Sequence, residues 1–108
     1  MDGTLVKHNG YLIDGHDSML QGAREFLSKI SSNDKVVIIT SRDSKHKEET
    51  EEFLQRESIR YDNIIFGAPF GERILINDKK PSGLITAVAV NTDRDAFPED
   101  LFIVDKDL

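Results

Sequence analysis

Apolar residues along the chain keep two different rhythms. Met19, Leu20, Ala23, Phe26, Leu27 and Ile30 recur at i, i+3, i+4 spacing, which predicts an amphipathic helix over residues 18–31. Asp17 or Ser18 stands where a cap is needed at its start, and Ser31-Ser32-Asn33-Asp34 ends it. Val36-Val37-Ile38-Ile39 is instead a continuous β-branched run, the pattern of a strand buried on both faces. Residues 44–57 read as a charged helix with only Phe53 and Leu54 clearly inward. Ile64-Ile65-Phe66, Ile74-Leu75-Ile76 and Ala87-Val88-Ala89-Val90 are three further apolar runs bounded by turn residues, and each reads as a short strand. Strands alternating with helices predict an α/β fold built as a three-layer, doubly wound, mainly parallel sheet. No repeat, low-complexity tract or linker divides the chain, so residues 1–108 read as one domain.

Composition narrows the classes of function. A chain of 108 residues can build a single core, although it is near the lower edge for an α/β fold. It has no run of about 18 apolar residues and no charged-then-apolar leader, so neither a membrane span nor a signal peptide is expected and a cytoplasmic setting is the default. The absence of cysteine excludes a disulfide framework and a thiolate zinc site. A net charge of -6 argues against a dedicated nucleic-acid binder, which needs clustered Lys and Arg, but leaves room for a small anionic substrate. His8, His16 and His46 lack metal-pairing spacing, and Glu48, Glu49, Glu51 and Glu52 read as a solvated helix face.

In doubly wound sheets functional residues collect beyond the carboxyl ends of the strands, so the polar residues after each apolar run are the candidates. Thr40, Ser41 and Arg42 follow Ile39. By position Thr40 reads as a cap for the turn into the next helix. Arg42 is either a solvated loop residue or a bidentate clamp for an anion. Asn77 and Asp78 follow Ile76, and they form either a polar turn or oxygen ligands for a hard cation.

In their order, these segments resemble the haloacid dehalogenase (HAD) superfamily. Asp2-Gly3-Thr4-Leu5 is similar to the end of its first motif, an apolar strand followed by Asp-x-Asp-Gly-Thr; Ile39-Thr40 is similar to its second, and Ile74-Leu75-Ile76-Asn77-Asp78 to its fourth. The wider stretch from Phe66 to Pro81, extended by Thr86 to Asn91, looks like a small, largely uncharacterised HAD branch often associated with surface-sugar biosynthesis. The likeness spans roughly residues 2–95 and implies a HAD-like Rossmannoid fold without a cap domain. It also implies a Mg²⁺-dependent phosphatase that acts on a small phosphomonoester through an aspartyl-phosphate. Asp2 would then be the general acid and base and lend its backbone carbonyl to the metal; Asn77 and Asp78 would hold the metal; and Gly3, Thr40, Ser41 and Arg42 would bind phosphate. The third motif, a cation near the phosphoryl group, has no clear counterpart, since Ala68 stands where related members often carry Lys. Of Arg73, Lys79 and Lys80, Lys80 is the choice because it follows a strand's carboxyl end, whereas Arg73 is expected at the opposite end of that strand. Without a cap the site would be open or covered by a second subunit, and the partner expected is a small phosphorylated metabolite rather than nucleic acid or membrane.

The resemblance is incomplete in a second, structural respect. The nucleophilic Asp would stand one residue before Met1, on a central strand whose absence would open a gap of roughly 9 to 10 Å in the sheet. Three explanations stay open. The chain could be a truncated form of a longer one. Alternatively Leu101-Phe102-Ile103-Val104-Asp105, an apolar run ending in Asp, could fill the slot so that Asp105 replaces the nucleophile. Residues 92–100 reach about 30 Å when extended, enough to close but too short for a covering helix. Or the domain binds phosphorylated ligands, or a partner, without turnover.

Overall fold

The computed structural model describes residues 1–98. Helix α1 spans Gly10–Ile13, helix α2 Ala23–Ser28 and strand β1 Val37–Ile39; a 3-10 turn, Ser44–His46, leads into helix α3, Lys47–Arg56, and strand β2 is Asn63–Ile65. β1 and β2 run parallel with Ile38 opposite Ile64, joined across α3. They are the parallel strand–helix–strand unit from which a doubly wound sheet is built. No helix among the described residues is long and apolar enough to cross a membrane.

The core gathers Leu5, Val6, Ala23, Leu27, Ile38, Phe53, Leu54 and Ile59, with Met1, Met19, Phe26, Val36, Ile64 and Phe97 packed around it. Helix α3 supplies its centre and follows its sequence expectation closely. Asp43 caps the approach by accepting a bond from the Lys45 N–H at 2.9 Å. At the other end Ser58 takes the left-handed conformation (φ 57°), the Ile59 N–H reaches Leu54 O at 2.9 Å and the Ser58 N–H reaches Gln55 O at 3.0 Å. This pair of bonds is a Schellman closure, and it folds Ile59 back onto Leu54, both buried.

Helix α2 is shorter than its periodicity predicts. Met19 leaves the helical pattern to bridge Val6 in antiparallel fashion, while the Leu20 N–H bonds Leu5 O at 2.8 Å. Gly22, at φ 88°, then turns the chain into Ala23. Pairing with residues 5–7 has outweighed local helix propensity for the first turn.

The strands differ from expectation in a more general way. Ile38 is 5% exposed but Val37 is 46% exposed, so β1 is covered on one face and open on the other. Val36 O and Thr40 N–H bond the β2 segment, so by strand alternation the polar groups of Val37 and Ile39 point to the other edge, where the Met1 amino group donates to Ile39 O at 3.3 Å. Ile74-Leu75-Ile76 and Ala87 to Val90 are not strands. They belong to a largely exposed loop that turns at residues 80–84, where the Lys80 N–H bonds Leu84 O, and it is tied across by Asn77 Nδ2 to Thr86 Oγ1 at 3.0 Å. With only β1 and β2 paired among the described residues, these apolar runs meet no neighbouring strand. The expectation for Leu101 to Asp105 lies outside the described residues.

Because Leu54 is fully buried at the centre of this core, Leu54→Ala is expected to lower unfolding stability by about 2–5 kcal/mol. Urea denaturation followed by circular dichroism measures it, and a change below about 1 kcal/mol would place the packing centre elsewhere.

Candidate functional site

Three segments converge beyond the carboxyl end of β1. The first is the turn over residues 1–6, in which Met1 O accepts from the Thr4 and Leu5 N–H groups and the Gly3 N–H bonds Val6 O at 2.7 Å. Gly3 sits at φ 78°, and a Cβ there would meet Arg94 Cγ at 3.2 Å, so both the backbone and the close approach of residue 94 call for glycine. The second segment, residues 17–20, lies antiparallel to residues 5–7, with the Lys7 N–H on Ser18 O at 3.0 Å. The third is the loop after β1, where the Arg42 N–H donates to Thr40 Oγ1 at 3.2 Å and the Gly67 and Ala68 N–H groups bond the carbonyls of Arg42 and Thr40.

Arg42 joins all three. Its Nε and Nη2 donate to the two oxygens of Asp2 at 3.0 and 2.9 Å, and its Nη1 and Nη2 donate to the two oxygens of Asp17 at 2.9 and 2.6 Å. Nη1 also donates to Thr50 Oγ1 in α3 at 3.0 Å. These five bonds use all five guanidinium N–H groups. The Tyr11 ring covers one face, 3.9 Å from Cζ, and itself meets His46 edge-on. The Arg42 side chain is 1% exposed, Asp17 5% and Asp2 17%. Burial pulls the guanidinium pKa down, but the hydrogen bonds it donates to Asp17 and Asp2 outweigh it and hold the group above its ordinary range. Arg42 is therefore a fixed cation, and the solvated-loop alternative for it does not describe the molecule.

The sequence candidates divide into two groups. Asp2, Gly3, Thr40, Ser41 and Arg42 come together, although residues 2 and 40 are far apart in the chain. Asn77, Asp78 and Lys80 stay on the exposed loop. There Asn77 bonds Thr86 and Asp78 O, and no hydrogen bond or ion pair among the described residues links these three to Asp2 or the Thr40 loop. No group of three or more His, Cys, Asp or Glu among the described residues forms a metal site. Asp105 lies outside the described residues.

Arg73 differs from expectation. Its Nη2 lies 3.4 Å from Ser41 Oγ while Nη1 donates to Pro69 O and Gly71 O, both at 2.9 Å, so its charge stands at the Thr40 loop and not at the far end of a strand. Asp17, Thr50 and Tyr11 join the site with no signal in the sequence that marks them for it. Asp17 has the appearance of a helix cap there, and nothing in the spacing of residues 17, 42 and 50 announces a shared guanidinium.

Comparison with known protein families, curated proteins and solved structures finds no match. The site is therefore read from its own chemistry.

Removing Arg42 would leave two largely buried carboxylates facing each other without a cation. Arg42→Met is expected to cost about 3–5 kcal/mol of stability, as for other broken buried ion pairs. Denaturant unfolding at neutral pH tests this; a cost under about 1 kcal/mol would mean the pair behaves like one at the surface.

Proposed function

We propose that the domain binds small phosphomonoesters at the Asp2, Thr40 and Ser41 cluster and is a HAD-like phosphohydrolase, Mg²⁺-dependent and cytoplasmic, whose turnover needs a nucleophilic carboxylate beside Asp2. The observation that carries the reading is the convergence of Asp2 and Thr40 on Arg42 beyond a parallel strand's carboxyl end. Thr40 Oγ1 is buried and accepts the Arg42 N–H, and its own O–H is the donor that a phosphoryl oxygen entering this loop would meet. Ser41, with Arg73 beside it, offers a second hydroxyl and a second positive charge. Fixed donors and cations of this kind stabilise charge on a transferring phosphoryl group. A sugar phosphate is the substrate suggested by resemblance alone, and a second copy of the chain is the partner that would cover the site.

The nucleophile is either a residue placed before Met1 or Asp105. The metal requirement further asks that the 74–90 loop bring Asn77 or Asp78 to Asp2. A specific observation favours a second reading, a binding module without turnover: both oxygens of Asp2 are engaged by Arg42, which holds this carboxylate turned toward the guanidinium and not toward a substrate.

A panel of small phosphomonoesters, assayed for phosphate release with and without Mg²⁺, separates the two. The hydrolase reading predicts Mg²⁺-dependent release that falls by at least about 100-fold in Asp2→Ala. Release that survives Asp105→Asn would remove Asp105 as nucleophile. Saturable binding without release, also in a chain extended before Met1 by an apolar strand ending in Asp, would establish the binding module. Neither binding nor release would overturn both.

A further inference from the structure

Arg42 presents two separate forks. The end-on fork, Nη1 and Nη2, holds Asp17, and the side-on fork, Nε and Nη2, holds Asp2. Each is the two-donor geometry that suits a carboxylate or a phosphoryl group equally. The two carboxylates are not equivalent. Asp17 makes the shorter contact, 2.6 Å against 2.9 Å on Nη2, and it is 5% exposed against 17% for Asp2. On the inner side Thr50, fully buried in α3, adds a further anchor to Nη1, and Tyr11 stacks on the guanidinium face.

We propose that the side-on fork of Arg42 is an oxyanion seat which Asp2 occupies as an internal stand-in, and that an incoming phosphoryl group takes the fork by displacing the Asp2 carboxylate while Asp17 and Thr50 hold the guanidinium in place. The proposal rests on the phosphate-binding reading above and adds to it how the site is regulated and which residue positions it. Three observations support the exchange. Asp2 is the outer carboxylate, so returning it to water costs less than moving Asp17. Its backbone is fixed independently, through the hydrogen bonds of the residue 1–6 turn and the Asp95 N–H to Gly3 O bond at 2.8 Å, so only its side chain needs to rotate. Finally, two carboxylates share the one guanidinium, so Asp2 is not held by a countercharge of its own. The same exchange would free Asp2 next to the bound phosphoryl group, which resolves the obstacle its pairing poses to acid and base work. Asp17 is then a positioning residue that acts through Arg42.

Inorganic phosphate titrated into the ¹⁵N-labelled full chain tests this directly, because the Arg42 Nε–H changes partner in the exchange. The expected result is that its resonance moves in step with the amides of Thr40, Ser41 and Arg42. Asp2→Asn is expected to tighten phosphate binding by about tenfold and Asp17→Asn to weaken it by about tenfold, although each removes one negative charge. Equal tightening in both variants would reduce the effect to net charge and overturn the proposal. So would amide shifts at residues 40–42 with an unmoved Arg42 Nε–H, and in that case phosphate binding itself would stand. If no resonance near the loop responds, the phosphate-binding reading fails and the seat fails with it. Should Asp17→Asn not fold, the wild-type Nε–H response decides alone.

Discussion

The buried guanidinium of Arg42 is the constraint around which the amino-terminal half is arranged. A buried cation is tolerable only when its charge and its donors are both answered, and here two carboxylates and a threonine hydroxyl answer all five N–H groups. Those partners come from three parts of the chain, the turn at residues 1–6, the antiparallel segment before α2, and α3, and they meet on the loop after β1 that carries Arg42. None of these contacts is local in sequence. The interaction therefore fixes how the segments lie on one another, and the apolar core of Val6, Ile38 and Leu54 gives them the surface on which to do so. No buried side-chain nitrogen or oxygen among the described residues lacks a partner, which is the condition for such a network to add order without an uncompensated cost.

The same interaction shapes the functional reading. Thr40 and Ser41 leave donatable protons, and Arg73 adds charge, at a place where parallel folds collect ligands. Yet the residue resembling a catalytic acid has both of its oxygens held by Arg42. A site of this kind is closed by its own carboxylate, and an anion has to compete for its cation. Phosphate chemistry suits that competition, because a phosphoryl group matches the fork and carries more charge than the carboxylate it replaces.

Much of the local structure was legible in the sequence. The β-branched run at residues 36–39 and the Phe53-Leu54 face of α3 gave their elements, and Thr40 and Arg42 were recognisable as candidates because they follow a strand. What could not be read was tertiary in origin. The first turn of the helix predicted from residue 18 yielded to pairing with residues 5–7, a contact that periodicity does not encode. Asp17 looked like a helix cap because its true partner lies 25 residues on. Arg73 lies at the Thr40 loop because Ile74-Leu75-Ile76, apolar enough to predict a strand, is an exposed loop in the described structure. The doubly wound sheet and the metal role of Asn77 and Asp78 depend on long-range strand pairing, the part of a fold that local pattern determines least.

The most direct measurement of the central claim is a double-mutant cycle on Arg42 and Asp17. Arg42→Met, Asp17→Asn and the double variant are compared with the parent by denaturant unfolding. If Arg42 organises the site, the coupling energy is about 2 kcal/mol or more, and the double variant is little worse than the more damaging single one. A coupling below about 0.5 kcal/mol, with the two losses simply adding, would contradict the account.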